Sequence, residues 1–481
     1  MHVGAVAVFE AGALAGPEGA VDAGALEAYV ASRLHLLPRY RRKLAWTPLD
    51  EQPVWVDDER FNLRYHVRRA RLPHPGDAAA LKELTGRILS EHLDRDKPLW
   101  ELWIVEGLEG GRFALIIKIH HCMVDGASGM NLLTTLYSTS PDARIEEAPP
   151  WRPRPAPSAL ELAVDDVAER LRGPFALARA AADAMRRPAE VLATLAEAGS
   201  AMRQAVEEGW RVPAQTPLNQ PIGPHRRTDW HSVDLALVKE IRKRLDGTVN
   251  DVVLAAVAGA LRRFLSERGV RLARLHYRVV IPVNARPAGD RFEAANRVSA
   301  LFLELPLDEA DPRRRFANIQ AETRRLKDSR AARGIEIFSR MGDWFGLPGI
   351  TRAGVRLVER VRPYNLIVTN VPGPQFPLYV LGAKLLEMHP LLPLFESQGL
   401  GVAVMSYLGR VSWGLIADYD LVPDVAELNE AMQEAFEELA RVADVGGARA
   451  AVARSPRAGR SGARRRRGRP QRRLPSPGVE G

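Results

Sequence analysis

The stretch His120-His121-Cys122-Met123-Val124-Asp125-Gly126 follows an apolar run, Phe113 to Ile119, broken only by Lys118. The run has strand composition, and successive strand side chains point to opposite faces. Phe113, Leu115, Ile117, Ile119 and His121 therefore share one face, and Ala114, Ile116, Lys118 and His120 share the other. His121 ends an apolar face, while His120 sides with a lysine. An imidazole with an unperturbed pKa of about 6.5 is neutral enough at cellular pH to accept a proton, which makes His121 a candidate general base. Asp125 lies beyond the strand, and Gly126 permits a tight turn; a carboxylate there can pair with an arginine and fix the turn. The same seven residues also fit two structural histidines at a strand end, and both readings stand at this point. A metal site fits poorly, because adjacent strand histidines face opposite ways and Cys122 is the only cysteine. Gly126-Ala127-Ser128-Gly129 is one residue short of a nucleophile elbow. No phosphate-binding loop, dinucleotide fingerprint or H-E-x-x-H helix occurs.

Outward from the motif, 100–106 and 113–121 read as a hairpin around Gly107, Gly110 and Gly111. Residues 21–37 read as a helix with Asp22 as N-cap and Leu26, Tyr29, Val30 and Leu34 on one face. Pro38 ends it, and Arg39, Tyr40, Arg41, Arg42 and Lys43 follow. A second helix is expected over 78–93, with Leu81, Leu84, Ile88 and Leu89 in one stripe, and a third over 129–137. Prolines at 149, 150, 153, 155 and 157 make 138–158 an extended connection. Residues 159–210 read as an Ala-rich amphipathic helical stretch, and 212–227 is irregular again. A second α/β region then runs over about 230–445, with strands at 277–283, 298–305, 365–370 and 401–407. The helix at 250–266 is apolar on most faces, which implies burial on two sides. His66, His74, His225 and His389 read as ordinary loop or strand residues.

The chain has 481 residues, 46% hydrophobic and 26% charged, which is globular composition with room for two or three domains. It excludes a disordered chain, a collagen and a disulfide scaffold. The longest apolar run, 252–261, is shorter than the ~18–20 residues of a membrane span, and 1–20 lacks the basic region of a signal peptide. The net charge of +9 is concentrated at one end: 446–481 holds eleven arginines and one acid, Glu480, so residues 1–445 carry −1. A nucleic-acid-binding fold would carry its basic residues on the body, so no specific nucleic-acid partner is expected. The Arg/Pro/Gly-rich composition of 446–481 predicts a disordered tail.

The HHxxxDG pattern resembles the CoA-dependent acyltransferase superfamily, which includes chloramphenicol acetyltransferase and peptide-synthetase condensation domains. Within it, the chain is similar to the bacterial wax ester synthase/diacylglycerol acyltransferase family from residue 1 to about 442. Leu93-Asp94-Arg95-Asp96-Lys97-Pro98-Leu99-Trp100-Glu101 resembles the family's PLW motif. Thr216-Pro217-Leu218-Asn219 and Gly223-Pro224-His225-Arg226-Arg227 resemble its crossover segment. Thr248-Val249-Asn250-Asp251-Val252 matches its ND motif. Pro282-Val283-Asn284 and the stretch from Asn365 to Pro374 resemble its C-terminal motifs.

The resemblance implies an α/β fold of two chloramphenicol-acetyltransferase-like domains with mixed sheets, joined by a long helical crossover, with the active site at their interface. The expected division is 1–145, a crossover over 146–230, a second domain over 231–445, and the tail. It implies acyl transfer from long-chain acyl-CoA to diacylglycerol, giving triacylglycerol, or to a fatty alcohol, giving a wax ester. His121 would be the base, with His120 and Asp125 as the other catalytic residues. Asp125 would orient the turn, paired with Arg39, Arg41 or Arg42. Asn250 and Asp251 most simply cap the 250–266 helix; the resemblance implies that they, with Gly126, also shape the active site. Pro98, Leu99 and Trp100 read as structural. No metal or redox cofactor is expected, acyl-CoA being the co-substrate. The expected location is cytoplasmic, peripherally attached to a membrane or lipid-droplet surface. Family members carry a leading S-P-x-D-like segment before the stretch resembling Met1 to Gly4; its absence here fits either an internal methionine of a longer protein or a truncation. Carrier-linked amide synthesis fits the PLW and ND pattern less well. A non-catalytic lipid- or CoA-binding protein fits poorly with an intact His121 and Asp125.

Overall fold

The hairpin expected around Gly107 forms two adjacent strands of one of two six-stranded sheets. The computed structural model describes residues 1–17, 20–48, 53–123, 132–142, 144–164, 167, 213–284, 298–328 and 364–445. The first half contains β1 (His2–Glu10), α1 (Ala23–Arg33), β2 (Arg42–Trp46), β3 (Pro53–Asp57), α2 (Leu63–His66), β4 (Val67–Arg71), α3 (Ala78–Ser90), β5 (Trp100–Leu108) and β6 (Arg112–His120). The second contains β7 (Arg226–Asp234), α4 (Leu235–Arg244), α5 (Val249–Glu267), β8 (Tyr277–Asn284), β9 (Val298–Leu305) and α6 (Pro312–Asp328). It continues through β10 (Leu366–Pro372), β11 (Tyr379–Val380), β12 (Ala383–Leu391), β13 (Leu400–Tyr407), β14 (Arg410–Asp418) and α7 (Val425–Val442).

The sheets are ordered β11-β12-β1-β6-β5-β4 and β7-β14-β13-β10-β8-β9. Both are mixed: β4 runs parallel to β5, and β10 runs parallel to both β13 and β8. The sheets do not divide where the expected domains do. β11 and β12 fall within 231–445, yet β12 pairs with β1 and completes the first sheet before the chain returns to the second as β13. At the other side, β7 begins at Arg226, before residue 231.

The face assignment of β6 holds up to Ile119. Phe113, Leu115, Ile117 and Ile119 enter a core with Phe9, Leu26, Tyr29 and Trp100, while Ala114 and Ile116 enter a separate core with α3 and Trp230. Both faces are covered, which is why the strand reads as nearly continuous apolar sequence. α1 is shorter than the expected 21–37. Asp22 caps it by accepting from the Ala25 N–H (2.9 Å), and the chain tightens into single 3-10 turns at Leu34–Leu36 and Pro38–Arg41. α3 likewise stops at Ser90 rather than 93. α5 is buried on several sides against α4, α6 and α7.

The two halves meet through α3 and β12. Val6, Leu81, Ile88 and Ile116 from the first half share a core with Trp230, Leu392, Ala403 and Ile416. Two glycines allow the backbones to approach there. A Cβ on Gly86 of α3 would lie 2.8 Å from the Arg226 carbonyl oxygen, and one on Gly414 of β14 would lie 1.9 Å from that of Pro390. The proline-rich connection is docked on the first half. Arg154 N–H donates to Asp57 (3.0 Å), Ala156 N–H donates to Glu59 (2.9 Å), and the Trp151 ring faces the Arg41 guanidinium at 4.9 Å. Residues 132–136 and 159–164 are helical as expected. Residues 129–131, 165–166 and 168–210, Asp125, Gly126 and the tail lie outside the described residues.

Candidate active site

β6 ends one residue earlier than its alternation suggests. His120 is its last residue, its N–H donating to the Leu99 carbonyl (2.9 Å); His121 opens the 3-10 turn His121–Met123, its N–H donating to the Met1 carbonyl (3.1 Å). His121 thus does not close the apolar face. It leaves the strand and is exposed, because the turn redirects its side chain once the ladder stops. Its aromatic neighbour is Phe395, whose ring stands edge-on at 75° with centroids 6.4 Å apart. Phe395 comes from the connection that carries the chain from β12 in the first sheet to β13 in the second.

His120 has a different environment. It is half-buried, it faces His2 across β1 with ring centroids 6.1 Å apart, and its Nδ1 lies 3.0 Å from Cys122 Sγ. The Cys122 N–H donates to the same nitrogen (3.3 Å), which leaves Nε2 to carry the proton of the neutral ring. Lys118, on the same face, is completely buried, 3.5 Å from Glu101, which Arg68 also contacts at 3.2 Å. Burial pushes His120 down to about 4 and His2 to about 3. The protein crowding His121 lowers its pKa too, by partial desolvation. Burial raises the Cys122 thiol, so it stays protonated and is a poor nucleophile.

The three arginines after α1 have separate engagements. Arg39 reaches the motif, donating to the Cys122 carbonyl (2.8 Å). Arg41 is buried between the Phe61 and Trp151 rings, and Arg42 donates to Asp57 (3.0 Å). Of the other motifs, Trp100 packs and donates to the Tyr40 carbonyl (2.8 Å), with His66 stacked on it at 4.6 Å. Asp251 forms a capping box with Thr248 and accepts from Thr323 Oγ1 (2.8 Å). Asn250 is half-buried beside it. No hydrogen bond among the described residues links Asn250 or Asp251 to His121.

One polar network was not legible in the separate motifs. Asn365 is buried, donates to the Ala214 carbonyl (2.7 Å) and Asn219 Oδ1 (2.8 Å), and accepts from the Arg278 N–H (2.9 Å). Thr216 Oγ1 donates to Asn219 (2.6 Å). The crossover motif at 216–219 is therefore latched to the start of β10.

A family model described as the wax ester synthase/diacylglycerol acyltransferase catalytic domain matches residues 1–253, and the corresponding C-terminal domain model matches 294–440. The chain belongs to the wax ester synthase/diacylglycerol acyltransferase family. It is accordingly an acyltransferase enzyme. Among relatives in this family, a provisionally named diacylglycerol O-acyltransferase of Mycobacterium tuberculosis is 37% identical over 434 residues, covering 87% of this chain and 82% of the relative. Another from the same organism is 31% identical and covers 92% of each. The wax ester synthase/diacylglycerol acyltransferase of Marinobacter aquaeolei VT8 superposes with a TM-score of 0.62 at 26% identity, over 92% of this chain and 95% of that one. The fold extends to the starter condensation domain of rhizomide synthetase, at a TM-score of 0.53 and 14% identity, covering 92% of this chain and 89% of that domain. The expected two-domain α/β architecture with mixed sheets is the one found.

Proposed function

We propose that the chain moves a long-chain acyl group from acyl-CoA to the hydroxyl of diacylglycerol, giving triacylglycerol, with His121 as general base. The observation that carries this reading is the position of His121: outside the strand, exposed, and facing an aromatic ring from the segment that links the two sheets. His121 takes the acceptor's hydroxyl proton, and the alkoxide oxygen bonds to the thioester carbonyl carbon. Collapse of the tetrahedral intermediate breaks the C–S bond, and the departing CoA thiolate takes the proton back from His121. Desolvation lowers the pKa of His121, which keeps the ring in its neutral, proton-accepting form at neutral pH. His120, tied to Cys122 and pushed to about 4, serves as packing beside the base. Asp125 lies outside the described residues, and its turn-holding role comes from the sequence motif. Of the three arginines expected as its partner, Arg39 is the one that bonds to the motif, at the Cys122 carbonyl. The reaction as proposed needs no metal or redox cofactor.

The diacylglycerol acceptor is taken from the names of the Mycobacterium relatives. The Marinobacter enzyme's name includes wax ester synthesis, which keeps a long-chain alcohol as the second reading. Both acceptors reside in membranes, and no described helix is long and apolar enough to cross one. We propose, from the location of the acceptors, that the enzyme works peripherally at a lipid surface, in the cytoplasm. Labelled palmitoyl-CoA offered to the purified protein with diacylglycerol and hexadecanol in competition, and the products separated by chromatography, tests the assignment. Mostly triacylglycerol is expected; mostly wax ester selects the second reading, and neither product overturns both.

A further inference from the structure

The connection from β12 to β13, residues 392–399, is held at several points. Leu392 and Leu394 enter the core between the halves. Gln398 is buried; its backbone N–H donates to the Phe395 carbonyl (3.0 Å) and its Nε2 to the Leu400 carbonyl (2.9 Å). The Gly399 N–H donates to the Leu218 carbonyl (2.8 Å), and Ser397 sits in the left-handed region at φ 57°. Between these anchors Phe395 alone among the apolar side chains of 391–395 is only half-buried, and its ring stands against His121. A large apolar side chain on so constrained a turn would normally join the core beside Leu394. This one stays half-buried beside His121 instead.

We propose that Phe395 is a positioning residue that shields one side of the His121 ring from water, so that the base activates an acceptor hydroxyl in preference to water. The proposal rests on His121 being the base. Two reactions compete for the same acyl-CoA. In transfer, the acceptor oxygen bonds to the carbonyl carbon. In hydrolysis, His121 takes a proton from water, the hydroxide oxygen bonds to that carbon, the C–S bond breaks, and CoA thiolate recovers the proton, leaving fatty acid and CoA. An aromatic ring offers water no good hydrogen-bond partner on that side of the imidazole, whereas the hydrocarbon of a lipid acceptor packs on it. The ring therefore disfavours one nucleophile and favours the other.

Phe395→Ala and Phe395→Leu, with palmitoyl-CoA and acceptor together, test this by the ratio of fatty acid to ester. The Ala variant should raise the ratio on the order of tenfold, equivalent to about 1.4 kcal/mol, and the Leu variant should raise it less. The acidic limb of the Ala variant's pH profile should also move up toward 6.5 as water reaches the ring. If Phe395→Ala melts early, the Leu variant at wild-type stability decides: a raised ratio supports the wall, and an unchanged ratio overturns it. An unchanged ratio in both variants also overturns it. The base assignment is tested separately in His121→Ala/Phe395→Ala. Hydrolysis that disappears there leaves His121 as the base; hydrolysis that persists at the Phe395→Ala level removes the base assignment and the proposal with it, whereas an unchanged ratio in the single variants overturns the proposal alone.

Discussion

His120 and His121 are neighbours in sequence with unlike surroundings, and their difference is measurable. His121 is exposed and ties up no side-chain hydrogen bond among those described, so its replacement should leave the fold intact while removing a general base, worth ~10²–10⁴-fold. His121→Ala is expected to lose at least that much kcat/KM at an unchanged melting temperature. His120→Ala should lose less activity but some stability, because it packs against His2 and Cys122. Equal losses at equal stability would remove the distinction. Desolvation lowers the His121 pKa, so kcat/KM should hold steady as pH falls past 6.5 and decline only below it. A limb centred above 6.5 would point to a different base. The sequence made both histidines visible and sorted their faces correctly as far as Ile119. It could not show that the strand ends at His120, because the last ladder bonds go to Leu99 and Met1, and pairing partners leave no mark in a local pattern. Phe395 was illegible for the same reason: it is one aromatic in a turn, and only the tertiary path of β12 brings it to His121.

Among elements, those with a local signature were legible and those defined by their partners were not. β5, β6 and the capped start of α5 follow from turn glycines, apolar runs and the Thr248–Asp251 spacing. β1 was missed as a strand because close packing has reduced its side chains: Gly4 faces Leu89 and Leu391, where even a Cβ would come within 3.1 Å of the Leu89 side chain. The contact of α3 with β7 has the same character. Gly86→Ala would gain up to about 1 kcal/mol of helix propensity. It would also force a methyl to 2.8 Å from the Arg226 carbonyl, on a strand held along its length by β14. Overpacking of this kind typically costs ~1–3 kcal/mol, so strain should win. The expected result is a lower urea midpoint for Gly86→Ala; a raised midpoint would mean that α3 and β7 do not approach so closely.

At the scale of the molecule, the two-half architecture was legible from the ordered motifs, but the route of the chain was not. Nothing in the composition of β12 says that it belongs to the first sheet, since that depends on β1, far away in sequence. Its His389 is fully buried, stacked on Trp230 at 5.1 Å and bonded to Glu387 (3.0 Å), and burial lowers its pKa; burial likewise holds His231, on β7, at about 4. In the unfolded chain such histidines bind protons from about pH 6.5 downward, while the native chain does not until much lower. Unfolding therefore takes up protons, and stability should be full above 6.5 and fall steadily toward pH 4. Urea midpoints between pH 7 and 5 should show the decline. His231→Gln should flatten it, since His231 Nε2 is buried without a partner and the amide gives up no bond made there. A midpoint independent of pH over that range would contradict the assignment.

The charge distribution gives the last expectation. Residues 1–445 carry a net −1 and 446–481 a surplus of ten positive charges, so any long-range attraction to an anionic lipid surface must come from the tail. A basic residue near such a surface contributes ~1 kcal/mol, and physiological salt screens it beyond a Debye length of about 8 Å. The cluster Arg464, Arg465, Arg466 and Arg467, with Arg469, Arg472 and Arg473, places seven such charges within ten residues. A chain ending at Val445 should therefore bind phosphatidylserine vesicles more weakly at low salt and lose the salt dependence of binding. Its turnover on detergent-dispersed acceptor should match that of the full chain, because the sheets, the motif turn and Phe395 all precede residue 445. Equal vesicle binding by the two forms at low salt would show that the neutral body finds the lipid surface without the arginines, and the crossover, whose sequence predicts an amphipathic helix, would then be the attachment left to examine.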